Sequence, residues 1–205
     1  MLASSSIIQD IVAMQKAGLA SLAFFYCDFR EDQKKDLRGL LSSLLIQLCH
    51  QSDSYSDVLF KIYSEHAEGE RHPSNDKLAK CLADLLKLPG HAPVYLIVDA
   101  LDECPKNTFS VRSPRAELLN LIQELINSQF PNLRICVTSR PEADIKYALD
   151  SLTSHSVSLH DESGQMRDIE NYIKSVISTH PENRRWKAEH KQLVIGALTE
   201  RADGM

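Results

Sequence analysis

The chain has 205 residues, 43% of them hydrophobic and 25% charged, with a formal net charge of −5. Those proportions suit one globular domain, or one domain and the start of a second, and exclude a disordered or low-complexity chain. The excess of 28 Asp+Glu over 23 Lys+Arg argues against nucleic-acid binding through a whole-domain basic field, and no apolar run approaches the roughly 18–20 residues of a membrane span.

Along the chain, Ile7, Ile8, Ile11 and Val12 form one face of an opening helix, without the basic start of a secretory signal. Residues 22–27 (LAFFYC) read as a strand. Leu37, Leu40, Leu41, Leu44, Leu45 and Leu48 then repeat at helical spacing, predicting an amphipathic helix over 36–50. Residues 51–75 read as a polar connection with one short helix. Leu78, Leu82, Leu85 and Leu86 mark a further helix, stopped by Pro89-Gly90. A second strand follows at 94–98 (VYLIV), and Ser113-Pro114 is an N-cap with proline at the first helical position. A third strand is expected at 133–138 (LRICVT) and a fourth, weaker one at 156–159. Ile169, Tyr172, Ile173, Val176 and Ile177, then Leu193, Val194, Ala197 and Leu198, give two closing helices.

The first three strands are nearly continuously apolar, as strands covered on both faces are. Alternating with helices, they predict a three-layer α/β fold around a parallel sheet. Ligands of such sheets bind at the carboxyl ends of the strands, here residues 27–30, 99–104 and 138–142. Five cysteines, Cys27, Cys49, Cys81, Cys104 and Cys136, are widely spaced, form no CxxC pair and cannot all pair within the chain. They imply a reduced, cytoplasmic setting. Cys27 and Cys136 read as small buried hydrophobes. Among the histidines no zinc-ligand spacing occurs. Arg184, Arg185, Lys187 and Lys191 near Trp186 read as a solvated helix face rather than an RNA site.

The chemistry concentrates in VYLIVDALDEC. An apolar strand delivers Asp99 at its end, followed by Asp102 and Glu103. Three carboxylates so close repel one another, and a divalent cation relieves that repulsion. Asp99 is then a candidate for Mg²⁺ or one of its waters, with Asp102 or Glu103 polarising a water that attacks a γ-phosphate. A solvated acidic loop produces the same spacing. In RICVTSRPEAD a strand ends in Thr138-Ser139-Arg140, and Pro141 is expected to open a helix. Arg140 is a candidate for reading a γ-phosphate, or a surface arginine at a turn.

Residues 96–104 (LIVDALDEC) and 135–142 (ICVTSRPE) resemble the Walker B and sensor-1 strands of STAND-class P-loop NTPases. More narrowly, they resemble NACHT domains of the nephrocystin-3-like N-terminal type, common in fungal multidomain proteins. Residues 21–48 and 167–177 agree with that family's second strand and helix and with the helix after its core. The resemblance implies a P-loop NTPase-like core over residues 1–150, with the last core strand and the start of a helical region over 151–205. It implies an ATP- or GTP-dependent oligomerisation switch using Mg²⁺, with metal at Asp99, water activation at Asp102 and Glu103, and phosphate sensing at Arg140. Its implied partners are proteins or further copies of itself, not nucleic acid or membrane. The Walker A pattern GxxxxGK[ST] occurs nowhere in the 205 residues. Against the family, the chain therefore reads as beginning just after the phosphate loop, without the first strand. Segments 133–138 and 156–159 are then expected either to leave a gap or to pair directly. The alternative to a switch fragment is a nucleotide-independent interaction scaffold derived from an NTPase.

Overall fold

A computed structural model describes residues 2–65, 72–106, 113–158, 163–180 and 186–201. The chain divides into two compact units, Met1–Leu152 and Thr153–Met205. In the first, β1 (Ser21–Tyr26), β2 (Val94–Asp99) and β3 (Leu133–Val137) form a parallel sheet in the order β1-β2-β3. The register sets Tyr26 beside Asp99 and Val98 beside Val137, so the strands finish together at one rim.

Period-two alternation divides the strand side chains between two cores. Ala23, Phe25, Leu96 and Val98, with Leu133, Ile135 and Val137, face α2 (Leu37–Cys49), α4 (Asn75–Leu86) and α5 (Pro114–Asn127). On the other face Leu22 and Ile97 pack with Ile8 and Ile11 of α1 (Leu2–Lys16). Helices on both faces of a parallel sheet make the first unit an α/β fold. The leucine repeat of α2 is its largest contribution: Leu40, Leu41, Leu44, Leu45 and Leu48 are all buried. Each such side chain stabilises by about 1.5–3 kcal/mol. Asp36 caps this helix by accepting from Gly39 N at 2.8 Å, and Ser113 caps α5 by accepting from Ala116 N at 3.2 Å.

Over Leu22 and Phe24 the outer edge of β1 is closed by side chains. Gln51 accepts from Leu22 N at 2.9 Å and donates to Leu22 O at 2.6 Å. One helical turn earlier, Gln47 accepts from Phe24 N at 3.1 Å and donates to Phe24 O at 2.7 Å. The spacing of four from Gln47 on α2 to Gln51 just past its end thus matches the spacing of two on β1, and two carboxamides stand in for a neighbouring strand there.

Three expectations need correction. Residues 51–75 hold more than a short helix: α3 runs over Asp53–Glu65. Its polar composition hides Tyr55, Val58, Leu59 and Ile62, which pack on the main core at helical spacing. Residues 156–158 are not a strand, and Leu159 lies outside the described residues. Val157 is 69% exposed, and so short a run gains nothing by extending without a ladder partner. The two segments therefore do not pair directly over the described residues. Pro141 does not begin a helix; α6 spans Ala143–Leu149, with Glu142 extended as its N-cap residue.

The second unit contains α7 (Ser163–Thr179) and α8 (Ala188–Arg201), which pack on each other, with Ile177 and Ile195 buried. Arg184 and Arg185 lie outside the described residues. No helix among the described residues is long and apolar enough to cross a membrane.

Candidate functional site

The carboxyl rim of the sheet carries the acids. Asp99, the last residue of β2, is 4% exposed, and its Oδ1 accepts from the Thr138 hydroxyl at 2.5 Å. Thr138 Oγ1 in turn accepts from Ala100 N at 3.0 Å. Ala100 adopts the left-handed conformation, φ 55° and ψ 47°, at a cost of about 1 kcal/mol for a non-glycine residue. That turn lets Leu101 N reach Thr138 O at 3.0 Å and starts a 3₁₀ turn over Leu101–Glu103.

Asp102 sits on this turn with its side chain 9% exposed. Its Oδ1 accepts from Arg140 N at 2.9 Å, and its Oδ2 lies 3.5 Å from the Arg140 guanidinium. Arg140 is thus on the same rim as Asp99, but its 81%-exposed side chain leans on Asp102. Glu103 is half-buried; its backbone N–H donates to Ala100 O at 2.9 Å, while its side chain makes neither hydrogen bond nor ion pair among the described residues. The three acids are close enough together to act on one neighbour. Burial, then Cys104, Asp99, Asp102 and Glu103, push the Cys27 thiol far above its ordinary range.

Sequence reasoning missed Arg115 of α5, which is 5% exposed. It donates to Cys104 O at 2.9 Å and to Asp102 O, and it pairs with Glu142 at 3.5 Å and Asp144 at 3.4 Å. Lys106 joins the same carboxylates at 3.7 and 3.1 Å. The acidic turn and the start of α6 are thereby tied to one guanidinium. A buried arginine in a leucine-rich helix was the available signal, since such a charge requires partners. On the β1 side of the rim, Arg30 grips Asp28 through two bonds of 2.9 and 2.8 Å. This holds the Asp28 carboxyl down at about 2.

The residues at this rim suit a magnesium ion only in one form. Among the described residues no group of three or more His, Cys, Asp or Glu side chains is placed to hold a metal unaided. Magnesium bound with a nucleotide needs just one or two carboxylates, the rest being water and phosphate oxygens. Asp99 offers one: its Oδ2 has no hydrogen-bond partner among the described residues.

A parallel α/β sheet with a buried acid ending its middle strand, and a Thr-Ser-Arg turn ending the next, defines the class. The chain belongs to the family described as Nephrocystin 3, N-terminal, whose model matches residues 1–140. It is also similar to the vegetative incompatibility protein HET-E-1 of Podospora anserina, with 25% identity over 199 residues. That match covers 95% of this chain but 14% of the relative, so the chain spans about one seventh of the curated relative's length.

Proposed function

We propose that this chain is part of a NACHT-type signalling NTPase, a nucleotide-dependent oligomerisation switch. In this reading it supplies the side of the site facing Mg²⁺ and the terminal phosphate. The observation that carries the reading is the convergence of Asp99, Asp102, Glu103 and Arg140 on one rim. Bound magnesium would neutralise phosphate charge there. Asp99 would hold the ion or one of its waters, in the rotamer that its hydrogen bond from Thr138 fixes. Glu103, whose side chain makes no hydrogen bond among the described residues, would orient and deprotonate the attacking water, while Asp102 aims Arg140 toward the γ-phosphate.

By itself the chain does not retain ATP or GTP. No Gly-Lys-Ser/Thr occurs in it, and a phosphate loop supplies several charge-assisted bonds of about 1.5–3 kcal/mol each. Lacking four of them costs about 6 kcal/mol, on the order of 10⁴-fold in affinity. One observation favours the second reading, a nucleotide-independent protein scaffold: both carboxylate oxygens of Asp102 are already engaged by Arg140.

Two titrations test this. Labelled ATP with Mg²⁺ is expected to show no saturation at millimolar concentration; micromolar binding lost in Asp99→Asn would overturn the half-site reading. Mn²⁺ added with millimolar ATP is expected to broaden amide resonances of residues 27–30, 99–103 and 138–140 transiently in the native chain but not in Asp99→Asn. Equal broadening in both removes the metal role and leaves the scaffold.

A further inference from the structure

Helix α3 carries an apolar surface that the core does not use. Tyr55, Val58, Leu59 and Ile62 pack inward. Phe60 is 67% and Tyr63 48% exposed, with ring centroids 6.3 Å apart. Ile46 of α2, 52% exposed, continues the patch. These three border a groove of about 350 Å³ between the two helices, whose lining adds Cys49, His50, Ser56 and Leu59. A contiguous exposed apolar patch of this kind marks an interaction site. Two exposed charges, Asp57 and Lys61, flank Phe60. Their spacing of four suits an ion pair within the helix, as Glu170 and Lys174 make at 2.7 Å. Asp57 and Lys61 make none among the described residues. With 3.6 residues per turn, Ser56 and Tyr63 lie to one side of Phe60, and Asp57 and Lys61 lie to the other.

We infer that two copies of this chain associate through α3, antiparallel about a two-fold axis at Phe60, each laying its Tyr63 ring over the groove of the other. A two-fold interface must be self-complementary, and in this arrangement the pattern is. Phe60 meets Phe60. On one side of it, Asp57 of each copy stands opposite Lys61 of the other, so the two charges left unpaired within the helix find opposite partners twice over. On the other side, Ser56 of each copy stands opposite Tyr63 of the other. The Ser56 hydroxyl donates to Cys49 O at 2.8 Å, which leaves its oxygen able to accept from that tyrosine. A parallel arrangement instead brings Asp57 and Lys61 beside Ser56 and Tyr63 of the other copy, and both charges stay unpaired. Complementary charge fixes register and orientation in this way. Asp99, Asp102, Glu103 and Arg140 take no part, so this association stands or falls separately from the nucleotide reading.

Sedimentation equilibrium of the full chain is expected to show mass rising from 23.1 kDa toward twice that value over roughly 1–500 μM, the range of a small, transient interface. Phe60→Ser changes an exposed position, so it is expected to keep the fold and weaken association about 30-fold or more. Asp57→Lys or Lys61→Asp alone sets like charges opposite each other and is expected to weaken it about tenfold. The two exchanges together recreate both pairs and are expected to restore it. Cys49 lines the groove, so its alkylation is expected to slow as concentration rises. Cys136 serves as the control: its apolar strand predicts burial, but it is only half-buried, and its rate is expected not to change. A chain monomeric throughout this range overturns the inference and leaves the groove to a helix of a different protein. A dimer that persists in Phe60→Ser overturns it too. So does a dimer that the single charge exchanges weaken and the double exchange does not restore. If Phe60→Ser unfolds, the charge exchanges decide alone.

Discussion

The Thr138 hydroxyl donates to Asp99 Oδ1 at 2.5 Å while accepting from Ala100 N at 3.0 Å, so one side chain beyond β3 fixes both the acid ending β2 and the turn after it. Thr138→Val keeps the shape and removes both bonds, leaving a carboxylate that is 4% exposed without its donor. The expected loss is about 2–4 kcal/mol in urea unfolding. Thr138→Ser is expected to stay within about 1 kcal/mol of the native chain. If both variants unfold with the native midpoint, the bond has no structural role.

Arg115→Met removes two donors to the acidic turn and the partner of Glu142 and Asp144. Leaving the carbonyls of Asp102 and Cys104 without their donor is expected to cost about 2–3 kcal/mol, read from the thermal midpoint. Amides of Glu103 and Cys104 should exchange faster with solvent. Arg115→Lys is not expected to rescue, because an ammonium cannot span two carbonyls and two carboxylates in one plane.

The Arg30 grip gives Asp28 a titration near 2 rather than the ordinary 3.8, which carboxyl NMR reads directly. A carboxyl lowered on folding stabilises the native state fully above its unfolded value. That contribution is lost as pH falls from about 3.8 toward about 2. For Asp144, burial pushes upward, but the bonds from Lys106 and its own backbone N–H and the charges of Arg115 and Lys106 leave it lowered, so its contribution has the same sign. Arg30→Ala is expected to return Asp28 toward 3.8 while leaving Asp144 unchanged.

How much of this was legible depended on whether a residue's role lay in its own period. The leucine repeat of α2, the apolar runs of the three strands and the Ser113-Pro114 start are local patterns, and the structure has each of them. Gln47 and Gln51 carry the same four-residue spacing, yet Gln47 sits in the leucine-rich helix and Gln51 falls in the stretch that reads as a polar connection. Their function appears only once β1 lies alongside. Arg115 was hidden in the same way, because its partners come from residues 102–104 and 142–144. The shared place of Asp99, Asp102, Glu103 and Arg140 on one rim could be read because the strands of a parallel sheet end on the same side. That Arg140 leans on Asp102, leaving Glu103 unpaired, follows from the left-handed turn at Ala100, which the sequence does not announce.

Gly39, in the first turn of α2, has no room for a side chain. A Cβ there would lie 1.9 Å from the carbonyl oxygen of Gln33. Gly39→Ala improves helix propensity by about 1 kcal/mol, but the 3₁₀ turn Asp32–Lys34 must move to admit it. Overpacking against backbone costs about 1–3 kcal/mol. The expected net effect is a lowered thermal midpoint, with shifted resonances at Gln33, Lys34 and Lys35. A raised midpoint would mean that this loop yields freely.

Replacing both Gln47 and Gln51 by Leu tests the closed edge of β1. Leucine preserves volume and suits the helix, so α2 itself should persist. What disappears is the pairing of four backbone groups on Leu22 and Phe24, which water partly replaces at this half-buried position. The expected loss of stability is about 1–3 kcal/mol in urea. A second effect separates an edge plug from a mere packing contact. With both edges open, β3 of one copy has β1 of the next available, and head-to-tail pairing does not close. Light scattering of the double variant is therefore expected to grow with concentration beyond that of the native chain. Adding Ile135→Pro, which blunts the other edge, should halt that growth without restoring stability. A destabilised double variant whose size matches the native chain's would confine the glutamines to packing, because the one property a plugged edge has that a packed helix lacks is control over what the sheet can add.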